Sequence, residues 1–300
     1  MYILDNLEAI SLPELSLNNF SLAMTKTRLR SLPSFALASF LSVPFVRKRF
    51  VFHLKQYFYN ELDFKINIGR GLSCPISHPS ATCSLEEIFF EDEYLSAFQE
   101  IPLPQKWLDL GCHYGYFSLY LAWLHAGSPL KSNSFKAFLL DADSRVGHGV
   151  ESLIRLNHLE DNLSYMHGAI SEGVGTVCFK EKLVMSSTLS ELDQTLDGSL
   201  NKVPIIDQFT IINKLAPPYD LVKIDVEGAE YDFLLSYNEI LSSTNALIIE
   251  WHSWHRGGGS EAEIQKLVLS YGFELRKVIQ PPKSCGPSSL DKVGVLLFSR

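Results

Sequence analysis

The chain reads as an α/β protein with a mostly parallel seven-stranded sheet, an antiparallel C-terminal strand and a helical N-terminal extension. Three observations predict this. From Gln105 onward, strand-like and helix-like runs alternate, the mark of βαβ units and a mainly parallel sheet. Two strand-like runs, 273–280 and 293–298, then follow each other across a Pro/Ser/Gly loop, which predicts an antiparallel edge strand. Finally, 300 residues, 46% hydrophobic and 20% charged, suit one α/β domain plus an extension. We divide the chain into residues 1–84, helical extension and loop, and 85–300, the α/β domain.

Taken in order, residues 1–60 predict helical pieces punctuated by Pro13, Pro33 and Pro44, with an aromatic and basic helix from Phe50 to Tyr59. Residues 66–83 are rich in Gly, Ser and Pro and predict a loop. A helix is expected over 86–98, with Phe89, Phe90 and Tyr94 spaced for one side. Strands are expected at 106–110, 136–141, 163–168, 219–226 and 246–252, and helices at 114–125, 144–157, 228–241 and 260–271. Between the third and fourth strands lie a hairpin piece at 175–179, a polar connection over 181–202 and a run at 203–206.

A net charge of −8 argues against a general nucleic-acid binder. Residues 1–70 run the other way, with nine Lys/Arg against five Asp/Glu. A basic face there fits peripheral contact with a membrane or an acidic partner, and equally a solvated helical face. Five irregularly spaced cysteines form no C-x-x-C pair and read as reduced thiols of a cytoplasmic protein. The acidic N-terminus lacks a signal peptide's basic start, and the longest apolar run, about 35–46, is too short to cross a bilayer.

The most informative stretch is Trp107-Leu-Asp-Leu-Gly-Cys-His-Tyr-Gly-Tyr-Phe-Ser118, a strand, a two-glycine turn and a helix start. Such a turn lets a ligand lie against backbone at a helix N-terminus. The pattern D-x-G-x-x-x-G differs from the dinucleotide G-x-G-x-x-G and points to S-adenosylmethionine (SAM) rather than NAD. Ligands of open α/β sheets bind beyond the strands' carboxyl ends. There the sequence sets Asp109, then Asp141-Ala142-Asp143, with Asp141 placed to accept both hydroxyls of a ribose. His167-Gly168-Ala169-Ile170, at the third strand's end, read as small residues suited to the flat face of an adenine, and Asp143 reads as a helix N-cap. Asp225, Glu227 and Glu230 follow the fourth strand, and Glu250-Trp251-His252 end the fifth.

Each has a plainer reading: a structural turn at Asp109, a salt bridge of Lys223 with Asp225, and a first-turn carboxylate at Glu230. Asp225 and Glu250 could hold Mg²⁺, and Glu250, His252 and His255 invite the same thought, but no familiar metal-site spacing is matched, so no metal is expected. His252 suits a general base by its ordinary pKa, and Trp251 and Trp254 suit stacking on a flat acceptor or covering the core.

These residues resemble the FkbM family of SAM-dependent methyltransferases. Asp109-Leu-Gly-Cys-His-Tyr-Gly-Tyr looks like its first motif, Asp141-Ala-Asp like its Glu-Pro-Asn/Asp element, and Lys223-Ile-Asp-Val-Glu-Gly-Ala-Glu230 like its hallmark string. Glu250-Trp-His252 resembles its fifth-strand ending, and Ile88-Phe-Phe-Glu-Asp-Glu-Tyr94 its lead-in. His113 stands where the family has Asn, and Asp141-Ala142 where it has Glu-Pro.

The resemblance implies a Rossmann-like class I methyltransferase fold and SAM as cofactor. It also implies methyl transfer to a hydroxyl of a small-molecule or glycan acceptor, such as a sugar or polyketide-like product. Cofactor contacts are expected from Asp109, Gly111, Cys112, His113, Tyr114, Gly115, Asp141, Ala142, Ala169, Ile170 and Asp225, and catalysis from His252, Glu227 and Asp225. The acceptor pocket is expected from the extension, the 69–84 loop and the 181–202 connection. A SAM-binding module without turnover, and less readily a nicotinamide-dependent oxidoreductase, are the alternatives.

Overall fold

A computed structural model describes residues 64–78, 81–128, 134–181, 188–189, 199–254, 260–284 and 291–300. The helices expected over 1–60, much of the 181–202 connection, and His255 lie outside these residues. The chain divides into two compact units, Met1–Glu86 and Glu87–Arg300.

The stretch expected as a loop is a hairpin. Strands β1 (Phe64–Gly69) and β2 (Leu72–Ile76) pair antiparallel. Arg70 and Gly71 both take positive φ, 56° and 80°. That two-residue turn matches the right-handed twist of the flanking strands. Helix α1 (Ala81–Phe89) begins earlier than expected and stops at Phe89. Asp92, with φ 56°, prevents its continuation to 98, where only the single turn Ala97–Gln99 forms.

The larger unit is built on β3 (Lys106–Leu110), β4 (Lys136–Asp141), β5 (Leu163–His167), β9 (Tyr219–Ile224), β10 (Thr244–His252), β11 (Glu274–Ser284) and β12 (Lys292–Ser299). Their order is β11-β12-β10-β9-β3-β4-β5. β5, β4, β3, β9 and β10 are mutually parallel, and β12 runs antiparallel to both β10 and β11. This is the mostly parallel seven-stranded α/β sheet that the sequence predicts. The antiparallel strand is not the edge, however. β12 is inserted between β10 and β11 because Val293, Val295, Leu296, Leu297 and Phe298 are at most 2% exposed and require cover on both sides. β11, half open to solvent and interrupted by register shifts, takes the edge instead.

Between β5 and β9 a second sheet forms from β6 (Thr176–Glu181), β7 (Thr188–Leu189) and β8 (Ser199–Pro204), in the order β7-β6-β8. The hairpin piece and the 203–206 run thus belong to one antiparallel pair.

Helix α2 (Tyr116–Gly127) is buried over nearly its whole length, whereas α3 (Gly147–Leu156) buries one stripe through Val150, Leu153 and Ile154. A short α4 (Gln208–Lys214), not expected, is nucleated by Asp207, whose side chain accepts from the Thr210 amide at 2.9 Å. The helix expected over 228–241 is two, α5 (Glu230–Ser236) and α6 (Asn238–Ser242), broken at Tyr237. That ring stacks on Phe233 at 4.9 Å and its hydroxyl donates to the Ile206 carbonyl at 2.7 Å. Helix α7 (Glu261–Ser270) opens with a Ser260/Glu263 capping box. The parallel strands share a direction, so Leu110, Asp141, His167, Ile224 and His252 end along one rim.

Candidate functional site

The centre of that rim is the turn after β3. Gly111 takes φ +76°, and a Cβ there would lie 1.6 Å from the Asp225 carbonyl oxygen. Only glycine lets the β3 and β9 tips close to this distance. The seam is tied by the Asp225 amide donating to the Leu110 carbonyl at 2.9 Å. It is tied again by the Lys223 ammonium, which donates to the Gly111 carbonyl at 3.1 Å and to Asp225 Oδ2 at 2.9 Å.

The turn's amides are not bare, as the sequence led one to expect. Those of Gly111 and Cys112 both donate to the Leu140 carbonyl, at 2.8 and 3.0 Å. The His113 amide donates to Asp141 Oδ2 at 2.6 Å, with His113 itself at φ 49°. Asp141 Oδ1 accepts from the Asp143 amide at 2.8 Å. Asp141, the turn and Asp225 therefore form one connected rim. Burial pushes the Asp141 carboxyl up to about 7 against two amide hydrogen bonds that pull it down. Each of its oxygens keeps acceptor capacity after one bond, so the group fits a ribose diol.

Three of the residues expected to contact the cofactor are tied into the scaffold. Asp109 is wholly buried. Its Oδ2 accepts from the Ser118 hydroxyl at 2.7 Å, which in turn accepts from the Trp107 indole at 2.9 Å, and Lys223 Nζ lies 3.8 Å from Oδ1. Ala169 bonds both ways across to the end of β8 and the residues after it, donating to Pro204 and accepting from Ile206, and Ile170 lies in the main core. Period-2 strand reasoning could not see that β6 and β8 would cover this tip. Cys112 and Tyr114 are buried too, while Ala142 is half-buried and its carbonyl bonds the His167 ring at 3.0 Å. Gly115, φ +78°, closes the turn onto the Cys112 carbonyl at 2.8 Å. Asp143 does not cap α3; it closes a local turn on the Arg145 amide at 2.9 Å and pairs with that guanidinium.

At the other end of the rim, Asp225, Glu227 and His252 converge. One ligand atom from each lies within 4.8 Å of the others. Glu227 sits at φ 51° and Gly228 at φ 108°, a left-handed kink between β9 and α5. Glu230 is more than a first-turn carboxylate. Its Oε1 accepts from the Val226 and Gly228 amides, at 3.2 and 3.1 Å, and bonds His252 Nδ1 at 2.9 Å. His252 is held above its ordinary range, to about 10, because Glu230, Glu227 and Glu250 outweigh the desolvation that opposes its charge. An imidazole so held stays protonated at neutral pH and is a poor base. Burial, then Asp225, pushes Glu250 well above the carboxylate range. Of the tryptophans, Trp251 is core and Trp254 lies against the His252 ring at 4.5 Å.

Glu93 was not singled out from the sequence. Burial, then Glu87 and Asp225, raises its carboxyl to about 7. Its neighbour Tyr94 packs edge-on against Phe117, the ring 5.9 Å below Lys223 Nζ. No spacing rule links Glu93 to β9, so only the packing reveals it. Among the described residues, no helix is long and apolar enough to cross a membrane.

Residues 155–275 match the family model of the methyltransferase FkbM domain, the family that the motifs at Asp109 and Lys223 resemble. No curated protein matches the chain. Solved structures similar to it include the following three. The first is magnesium protoporphyrin IX methyltransferase from Synechocystis PCC 6803 with bound SAM (13% identity, 89% of this chain and 96% of that one, TM-score 0.44). The second is precorrin-6y C5,15-methyltransferase from Geobacter metallireducens GS-15 (10%, 70% and 89%, TM-score 0.41). The third is Aeropyrum pernix fibrillarin in complex with SAM (10%, 70% and 73%, TM-score 0.40).

Proposed function

We propose that this SAM-dependent methyltransferase acts on oxygen, methylating a hydroxyl of a sugar or polyketide-like small molecule. The observation that carries the finer reading is the convergence of Asp225, Glu227 and His252 beside the glycine turn. Two carboxylates and an imidazole face one another there, acceptors and a donor suited to gripping a hydroxyl.

When bound, SAM supplies a methyl group already activated by its sulfonium. The protein's task is then mostly alignment. Asp141 would hold the ribose diol. Gly111 keeps the β3 and β9 tips close enough for Asp225 to stand beside the same turn. Lys223 fixes the Asp225 carboxylate, and Glu230 fixes the His252 ring. The carboxylates, rather than the protonated His252, receive the hydroxyl's proton.

Calorimetry with S-adenosylhomocysteine and with NAD tests the cofactor. Transfer of labelled methyl from SAM to a panel of sugars, macrolides and amines tests the acceptor class. Binding of the first ligand alone, with label appearing on hydroxyls, is the expected outcome; label on amines alone would refute the oxygen reading. Transfer to no acceptor, with intact binding, would favour a module without turnover.

A further inference from the structure

We propose that Asp225, Glu227 and His252 form a divalent-cation site whose ion holds the acceptor hydroxyl; this deepens the methyl-transfer reading and rests on it. Donors bound about 2.0–2.3 Å from one ion lie about 3 to 4.5 Å apart. The three donor atoms already lie within 4.8 Å of one another, so small side-chain rotations separate them from coordination.

His252 supplies an independent observation. It is 4% exposed, and its Nε2 is aimed at the carboxylates from 3.7 Å (Glu227) and 3.8 Å (Glu250), beyond hydrogen-bond reach of both. A buried ring nitrogen without a bonding partner is costly. Its other nitrogen is clamped by Glu230 at 2.9 Å, the carboxylate–histidine relay that orients metal-binding imidazoles. Charge agrees with geometry. Among the described residues, Asp225, Glu227 and Glu230 stand around Lys223 and His252, an excess of negative charge that a dication offsets.

Two carboxylates with one imidazole make a mixed oxygen and nitrogen set, suited to Mn²⁺ and similar first-row ions rather than to Ca²⁺. Three protein ligands leave positions for water and for the acceptor oxygen. To bind the ion, His252 releases its Nε2 proton to solvent; the acceptor oxygen on the ion then gives up its own proton to a neighbouring carboxylate of the rim. The oxygen's electron pair then forms the bond to the methyl carbon, and the carbon–sulfur bond breaks with its electrons left on sulfur as a thioether.

The test titrates the 300-residue chain, freed of metal by a chelator, with Mn²⁺ and reads free ion by electron paramagnetic resonance. One ion per chain is expected, bound at least about tenfold more weakly by Glu227→Gln and by His252→Gln. Glu227 is at the rim, and its variant carries the test should His252→Gln fail to fold, which circular dichroism reveals. A wild-type chain that binds no Mn²⁺ below about 1 mM, or binding untouched by Glu227→Gln, overturns the proposal. S-adenosylhomocysteine affinity, measured on the same metal-free samples, separates the two readings: its absence refutes the cofactor pocket, whereas its presence without Mn²⁺ binding refutes only the cation site.

Discussion

Two residues shape the strand-tip rim by opposite means, Gly111 by having no side chain and Asp141 by where its carboxylate is buried. Gly111→Ala puts a methyl group 1.6 Å from the Asp225 carbonyl at a φ of +76°. The β3 and β9 tips must part, so S-adenosylhomocysteine affinity should fall by at least about a hundredfold, about 2.7 kcal/mol, in calorimetry. Asp141 predicts a pH dependence. With its carboxyl at about 7 in the free protein, the carboxylate form rises from about one tenth at pH 6 to about nine tenths at pH 8. Only that form accepts two ribose hydroxyls fully. Affinity should therefore climb roughly ninefold over this interval, and the slope should vanish in Asp141→Asn. A flat profile in the wild type would remove Asp141 from the ribose. Asp109 carries the opposite lesson: the motif shows it plainly, yet its carboxylate spends itself on Ser118 and Lys223.

Among the elements, β12 and β11 separate what hydrophobicity can and cannot specify. Leu296 is fully buried between two strands, and Leu275 on β11 is 38% exposed. Leu296→Ala should lower stability by about 2–5 kcal/mol in urea melts, and Leu275→Ala by under about 1 kcal/mol. Equal losses would contradict the inserted position of β12. The two apolar runs themselves were legible in the sequence; their swap was not, because strand order follows from which run must lose both edges to neighbours. The break at Tyr237 was equally hidden. A helix-period pattern runs through 228–241, but the Tyr237 hydroxyl leaves the helical line to reach the Ile206 carbonyl.

For the molecule as a whole, pH should act on folding and on ligand binding in opposite directions. Asp141 and Glu93 both titrate near 7 when folded, against ordinary values of 3.8 and 4.5. The folded chain thus holds these protons more tightly than the unfolded one. Their contribution is fully present below about pH 4 and is lost as pH rises through 7. S-adenosylhomocysteine binding compensates at high pH. The melting-temperature gain from saturating ligand should accordingly grow between pH 6 and 8, and a gain that shrinks would refute the assignment of Asp141. By itself the sequence determined the βα alternation, the glycine turn, the strand-end carboxylates and the Lys223–Asp225 pair, since period and local spacing encode which residues share a strand tip. The tertiary structure alone decided which tips meet. It buried Asp109, Ala169 and Ile170, brought Glu93 toward Asp225, and set His252 between Glu230 and Glu227. Those outcomes depend on strand order and on packing between residues far apart in the chain, which no local pattern contains.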